Sequence, residues 1–183
     1  MTSHRGGPRG IGSGAGFPEP AKTPGVALSI LMLFAFLGVV FGCAAAGGAV
    51  TVGNIDGWYA GIAKPDLTPA NWVFPIVWNF LFFLMGVSGW LVWRTAGGLN
   101  AAGGALSFFT AQLMLNFAWS VLFFALHRPG LAVFEALALD AAIAATIWAF
   151  WQLSRFAALL LVPYFLWSVF ATYLTAAIWY LNR

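Results

Sequence analysis

Gln112, Asn116, Trp119 and Phe123 follow one another at spacings of four, three and four. On a helix that spacing lays the four side chains along one face, two amides followed by two aromatic rings. Such a face should look inward. It can serve as hydrogen-bonding glue between helices or as the wall of a pocket that stacks a flat ligand and orients it through an amide. Trp78 and Asn79 lie about two turns beyond Trp72, and Pro163, Trp167, Ala171 and Leu174 form a further stripe at helical spacing. The indoles of Trp78, Trp119 and Trp167 are therefore candidates for one shared cavity. The alternative for each is plain packing or a place in an interfacial aromatic belt.

Two acids, Glu135 and Asp140, stand inside the otherwise apolar run from Leu131 to Gln152. Ionisable groups are costly in such surroundings, and where they occur they usually serve a purpose. Five residues apart, the two point to different faces and cannot form a paired acid/base site. Glu135 is one turn from Leu131 and is expected to reach the interface near Arg128. Asp140 is deeper and must be either uncharged or partnered by a polar residue of another helix, which the sequence does not name. Cys43 reads as a small packing residue within an apolar run. His4 and His127 are too few and too far apart for a metal centre, so none is expected. The chain carries no nucleophile elbow, phosphate loop, dinucleotide fingerprint or zinc motif, and no residue is assigned to conventional catalysis.

The elements that must hold these side chains are set by composition. Of 183 residues, 62% are hydrophobic and 7% charged, with mean hydropathy +0.88; a soluble domain carries about 25% charged residues. Uncharged or nearly uncharged runs extend over Val26–Val50, Trp72–Trp93, Ala105–Leu126, Leu131–Gln152 and Phe156–Leu181. Each reaches the roughly 20 residues that cross a ~30 Å hydrocarbon core as a helix. The expected fold is an all-α integral membrane protein, a five-transmembrane-helix bundle occupying residues 25–183. The basic residues punctuate the runs and mark their ends. Net charge +3 and pI 9.4 are thus a matter of membrane topology, and no basic patch points to a nucleic-acid partner. The lipid bilayer is the first expected partner.

Residues 1–24 are rich in Gly and Pro and are expected to form a disordered tail. A transit peptide is the alternative, but Ser3 and Ser13 are the tail's only serines, which is poor for such a segment. The run from Val26 is too long for a signal-peptide core and is expected to remain as the first helix. Short connections at 94–104, 127–130 and 154–155 require successive helices to be antiparallel neighbours. The connection from Thr51 to Asn71 is long and holds Trp58, Tyr59, Lys64, Pro65 and Pro69, the kind of loop that carries function. Basic residues lean towards a cytoplasmic N-terminus without fixing it. Small residues recur every four positions at Gly38, Gly42 and Ala46, and at Gly103, Ser107 and Ala111; either stripe suits close helix packing, within the chain or in a homodimer.

One ordered set of residues is recognisable. Trp58-Tyr59, Lys64-Pro65, Pro69, Trp72-Val73-Phe74, Val77-Trp78 and Met85-Gly86 are followed by Ala111-Gln112-Leu113, Asn116, Trp119-Ser120 and Phe123-Phe124. Then come Trp148-Ala149-Phe150-Trp151-Gln152-Leu153, Val162-Pro163-Tyr164-Phe165-Leu166-Trp167 and Phe170-Ala171-Thr172-Tyr173-Leu174. This pattern resembles the TspO/translocator-protein family, the peripheral benzodiazepine receptor-like proteins. The resemblance implies a five-helix bundle, often a homodimer, with a cavity under the first loop for porphyrins and other flat hydrophobic ligands. It assigns ligand contact to Tyr59, Trp78, Asn116, Trp119, Ser120, Trp167, Ala171 and Leu174. The chain departs from the family where Leu67 replaces an aromatic and Ala70 a second proline. Thr175 and Ala176 replace the usual Asn and the aromatic of the sterol motif, so sterol recognition is not carried over.

With that ligand class in view, Lys64 and Arg128 are candidates to pair with propionates at the mouth. No histidine falls among the pocket candidates, so a porphyrin is expected to bind as a ligand without iron, and no cofactor is required. The expected role is binding of tetrapyrroles in their transport, sensing or regulation. The alternatives are light- and oxygen-dependent porphyrin breakdown, for which the family points to Trp78 and Trp167, and a structural scaffold. The expected host is a bacterial plasma membrane, with the mitochondrial outer membrane as the alternative.

Overall fold

The computed structural model of the protein describes residues 25–183, and the expected tail over residues 1–24 lies outside the described residues. Helix α1 (Val26–Asn54) runs into a π-helical turn at Ile55–Tyr59 that is kinked at Gly57, where ψ is −105°. It is followed by α2 (Val73–Ala96) and by α3 (Leu99–Ser120), which ends in a second π-helical turn at Val121–Ala125. Then come α4 (Pro129–Trp151), α5 (Arg155–Leu160) and α6 (Val162–Leu181). Among the described residues there are five spans long and apolar enough to cross a membrane, with α5 and α6 together forming the last, and no strand. The five-helix bundle read from composition is the fold.

Several boundaries differ from the hydrophobic runs, for identifiable reasons. The first helix does not stop at Val50, because Thr51 and Asn54 return their side-chain hydrogens to the carbonyls of Gly47 and Val50 at 2.9 Å each. Polar side chains satisfied in this way can sit in a membrane helix. Trp58 and Tyr59 consequently lie on the helix end, and the first loop is shorter than the expected Thr51–Asn71. The connection placed over 94–104 shrinks to Gly97 and Gly98. Gly97 adopts φ 83° and closes α2 by donating to Arg94 O, while Gly98 N donates to Trp93 O. Glycine takes this left-handed position without a Cβ penalty. The last span breaks at Leu161 just before Pro163, whose missing N–H removes one bond of the helical ladder.

The helices close into a ring. α1 packs on α2 and α3, α3 on α4, and α4 on α6, while α2 meets α5 and only barely α6. The half of the bundle away from the first loop is filled by Met85, Val92, Phe109, Ile143 and Phe150, all buried. Gly86 allows α1 to approach α2, since a Cβ there would lie 2.6 Å from Leu37 Cδ2 and 3.2 Å from Leu37 Cα. Large apolar side chains such as Phe34, Phe80, Phe134 and Trp148 face outwards, as a lipid-facing surface requires. Both small-residue stripes lie on that outer surface: Gly38, Gly42, Ala46, Gly103, Ser107 and Ala111 are all exposed, so neither stripe packs helices within the chain.

Candidate functional site

The half of the bundle beneath the first loop encloses a cavity of about 460 Å³. To its wall α1 supplies Ala44, Ala45, Gly47 and Gly48, and α2, α3 and α6 supply the remainder of the lining discussed below. Four positions with a methyl group or no side chain at all leave space between the helices unfilled. The other walls carry rings. Trp78 stacks on Phe82 with centroids 5.4 Å apart, and Trp119 stacks on Phe123 at 5.1 Å with planes 11° apart. Tyr59 closes the top against Phe123 and Phe124 at 6.2 and 5.7 Å. All these side chains line the cavity. The π-helical turn after Ser120 widens the helix by a residue, which lets both Phe123 and Phe124 turn inwards. Turns of this kind are frequent at functional sites.

The polar residues are held from behind. Asn116 Nδ2 donates to Tyr164 Oη at 3.2 Å, and that hydroxyl donates to Gln112 Oε1 at 2.9 Å. Tyr164 is fully buried and Gln112 nearly so. Gln112 therefore acts through Tyr164 and does not reach the cavity, although it shares the inward face expected of it. On the opposite wall, the two carboxyl oxygens of Asp140 accept from Ser168 Oγ at 2.6 Å and Thr172 Oγ1 at 2.8 Å. These are the partners the sequence left unnamed. Glu135 behaves differently from expectation: its carboxyl oxygens are buried and have no hydrogen-bond partner, so the group does not reach the interface beside Arg128.

The mouth is tied down by three contacts. The imidazole of His127 stacks on Trp58 at 4.5 Å and bonds Asn54 Oδ1 at 3.0 Å. His127 holds φ 51°, an uncommon backbone state for a residue with a Cβ, and the stack and bond keep it there. Asn182 at the end of α6 accepts from Ala63 N at 3.0 Å and donates to Ala63 O at 2.9 Å, clasping the first loop to the C-terminal helix. Lys64 Nζ lies 4.6 Å from the centre of the Tyr59 ring and donates to Ile62 O at 3.1 Å.

Of the eight residues carried over for ligand contact, seven share the walls of this cavity: Tyr59, Trp78, Asn116, Trp119, Ser120, Ala171 and Leu174. Trp167 does not. Its ring packs edge-on against Phe74 at 6.0 Å, and its buried Nε1 has no partner. The inward face of α6 instead carries Ser168 and Thr172, both bonded to Asp140, beside Ala171 and Leu174. Pro163, on the same stripe, is exposed. Arg128 also lies away from the cavity, beside Trp179 in a shallow surface hollow. Ser168 and Thr172 escaped the sequence reading, because hydroxyls are common in membrane helices and only an opposing Asp140 gives them meaning.

A sequence model of the TspO/MBR family matches residues 34–181. The chain is 41% identical over 155 residues to the tryptophan-rich protein TspO of Archaeoglobus fulgidus, covering 85% of this chain and 99% of that protein. It is 42% identical over 123 residues to the human translocator protein, covering 67% and 73%. To the tryptophan-rich sensory protein of Cereibacter sphaeroides it is 39% identical over 132 residues, covering 70% and 81%. The chain is a multi-pass integral membrane protein and belongs to the TspO/MBR family.

Proposed function

We propose that this protein binds tetrapyrroles, with metal-free protoporphyrin IX as the type ligand, and other flat hydrophobic molecules in the cavity beneath its first loop, and that it serves their transport or sensing. The observation that carries the reading is the mixed wall: the indoles of Trp78 and Trp119, from α2 and α3, share a cavity of about 460 Å³ with the small residues Ala44, Ala45, Gly47 and Gly48 of α1. A planar macrocycle stacks on indole faces and fits where neighbouring side chains are small. The volume falls in the range of roughly 300–1,000 Å³ usual for small-molecule sites. Lys64 at the mouth is the propionate partner, in preference to Arg128. Axial ligation of iron is not required, since His127 is engaged with Trp58 and Asn54 outside the walls. That relatives are named translocator and sensory proteins agrees with a role in movement or detection.

The test is titration with protoporphyrin IX in nanodiscs, followed by tryptophan quenching, for the native chain and Trp78→Leu, in darkness and under illumination. Saturable binding weakened roughly three- to tenfold by the substitution is expected from the loss of one aromatic stacking partner. Illumination that yields a porphyrin product dependent on Trp78 would favour the degradative reading, with Trp167 as the second tryptophan to replace. Quenching that never saturates would overturn the assignment.

A further inference from the structure

We infer that Asp140 turns one wall of the cavity into a hydrogen-bond acceptor subsite, formed by the Ser168 and Thr172 oxygens, which selects ligands that present an N–H or O–H group. The inference deepens the cavity reading above but does not require the ligand to be a tetrapyrrole. A hydroxyl has one hydrogen to give and two lone pairs. Ser168 and Thr172 both line the cavity, and both give their hydrogen to Asp140, at 2.6 and 2.8 Å. What remains for a ligand is oxygen lone pairs alone.

Asp140 itself is not on the wall, so it acts as a positioning residue, fixing the direction of two hydroxyls that would otherwise rotate freely. The other threonines of the lining reinforce this polarity. Thr51 donates to Gly47 O at 2.9 Å, and Thr175 donates to Ala171 O at 2.8 Å. An acidic side chain that polarises a hydroxyl strengthens that oxygen as an acceptor through the chain of hydrogen bonds. A ligand without a donor leaves these oxygens buried and unmatched. Sites built around a hydrogen bond reject analogues that lack it far more strongly than apolar pockets reject a change of size.

Carbazole and dibenzofuran test this directly, being flat tricyclic molecules of nearly equal shape, one with an N–H where the other has an ether oxygen. Their affinities are measured by calorimetric titration of the native chain, Asp140→Asn and Ser168→Ala in nanodiscs, and the ratio between the two compounds is compared across proteins, which cancels partition into lipid. The native chain is expected to prefer carbazole roughly tenfold, as when a buried acceptor is matched in one complex and left without a partner in the other. Asp140→Asn introduces an amide donor that takes the place of one hydroxyl's hydrogen, freeing that hydrogen to point into the cavity. The preference should fall to within about twofold, with dibenzofuran binding retained or improved. Ser168→Ala leaves the helix intact and should weaken carbazole alone. Equal native affinities, no saturable binding of either compound, or an unchanged preference in both variants would each overturn the inference. Protoporphyrin titration is independent of this ratio, so failure of either reading is visible separately.

Discussion

Tyr164→Phe removes one oxygen from the centre of the bundle. In the native chain that oxygen accepts from Asn116 Nδ2 and donates to Gln112 Oε1, in a site with no exposure at all. Two hydrogen bonds are lost together. Within membrane bundles such bonds contribute about 0.6 to 1.7 kcal/mol each, so the expected destabilisation is roughly 1–3 kcal/mol. The upper part of that range is favoured, because Gln112 Nε2 is already buried without a partner and the variant adds a second unmatched atom to the same side chain. Equilibrium unfolding in mixed micelles measures the change. The physical cause is isolated by a cycle with Gln112→Leu, which removes the amide that Tyr164 leaves stranded. The double variant should be more stable than the sum of the two single effects by about 1 kcal/mol. Strict additivity, or a Tyr164→Phe protein as stable as the native one, would refute the network as a source of stability.

Three further substitutions have outcomes set by the geometry. Gly86→Ala places a Cβ 2.6 Å from Leu37 Cδ2 and 3.2 Å from its Cα, forcing α1 away from α2, and should cost about 1–3 kcal/mol in the same unfolding assay. Gly104→Ala, where an added Cβ meets nothing within 4 Å, should be neutral or slightly stabilising. Asn182→Ala cuts both bonds to Ala63 and should raise amide exchange in the first loop by about fivefold or more, corresponding to ~1 kcal/mol of clasp. Exchange unchanged in that loop would mean that its other contacts suffice.

The fold was legible because length and apolarity alone dictate what can cross a bilayer. The same apolarity obscured the rest. With every face of α4 and α6 hydrophobic, a period of 3.6 cannot say which face turns inwards, and the observed face keeps Ala171 and Leu174 of the expected stripe but has Ser168 and Thr172 in place of Trp167. Asp140 accepts from both of these hydroxyls, a role that appears only when α4 and α6 are brought together. Asn116 and Trp119 were readable because amide and indole share a face of α3, which the bundle turns inwards. The end of α1 was not, since Thr51 and Asn54 look like loop residues until their side chains are seen bonded to the preceding turn.

Gly47→Leu asks whether ligand sits in the space between α1 and the aromatic walls. Gly47 is buried on that wall, and a Cβ there lies 3.2 Å from Ser120 Oγ, so a leucine side chain must turn into the cavity. Protoporphyrin IX titrated against native and plugged proteins of matched unfolding temperature should bind saturably to the first and at least roughly tenfold more weakly to the second, as expected when a ligand must displace a packed side chain. Equal affinity in the two would place the ligand elsewhere and contradict the cavity as the site.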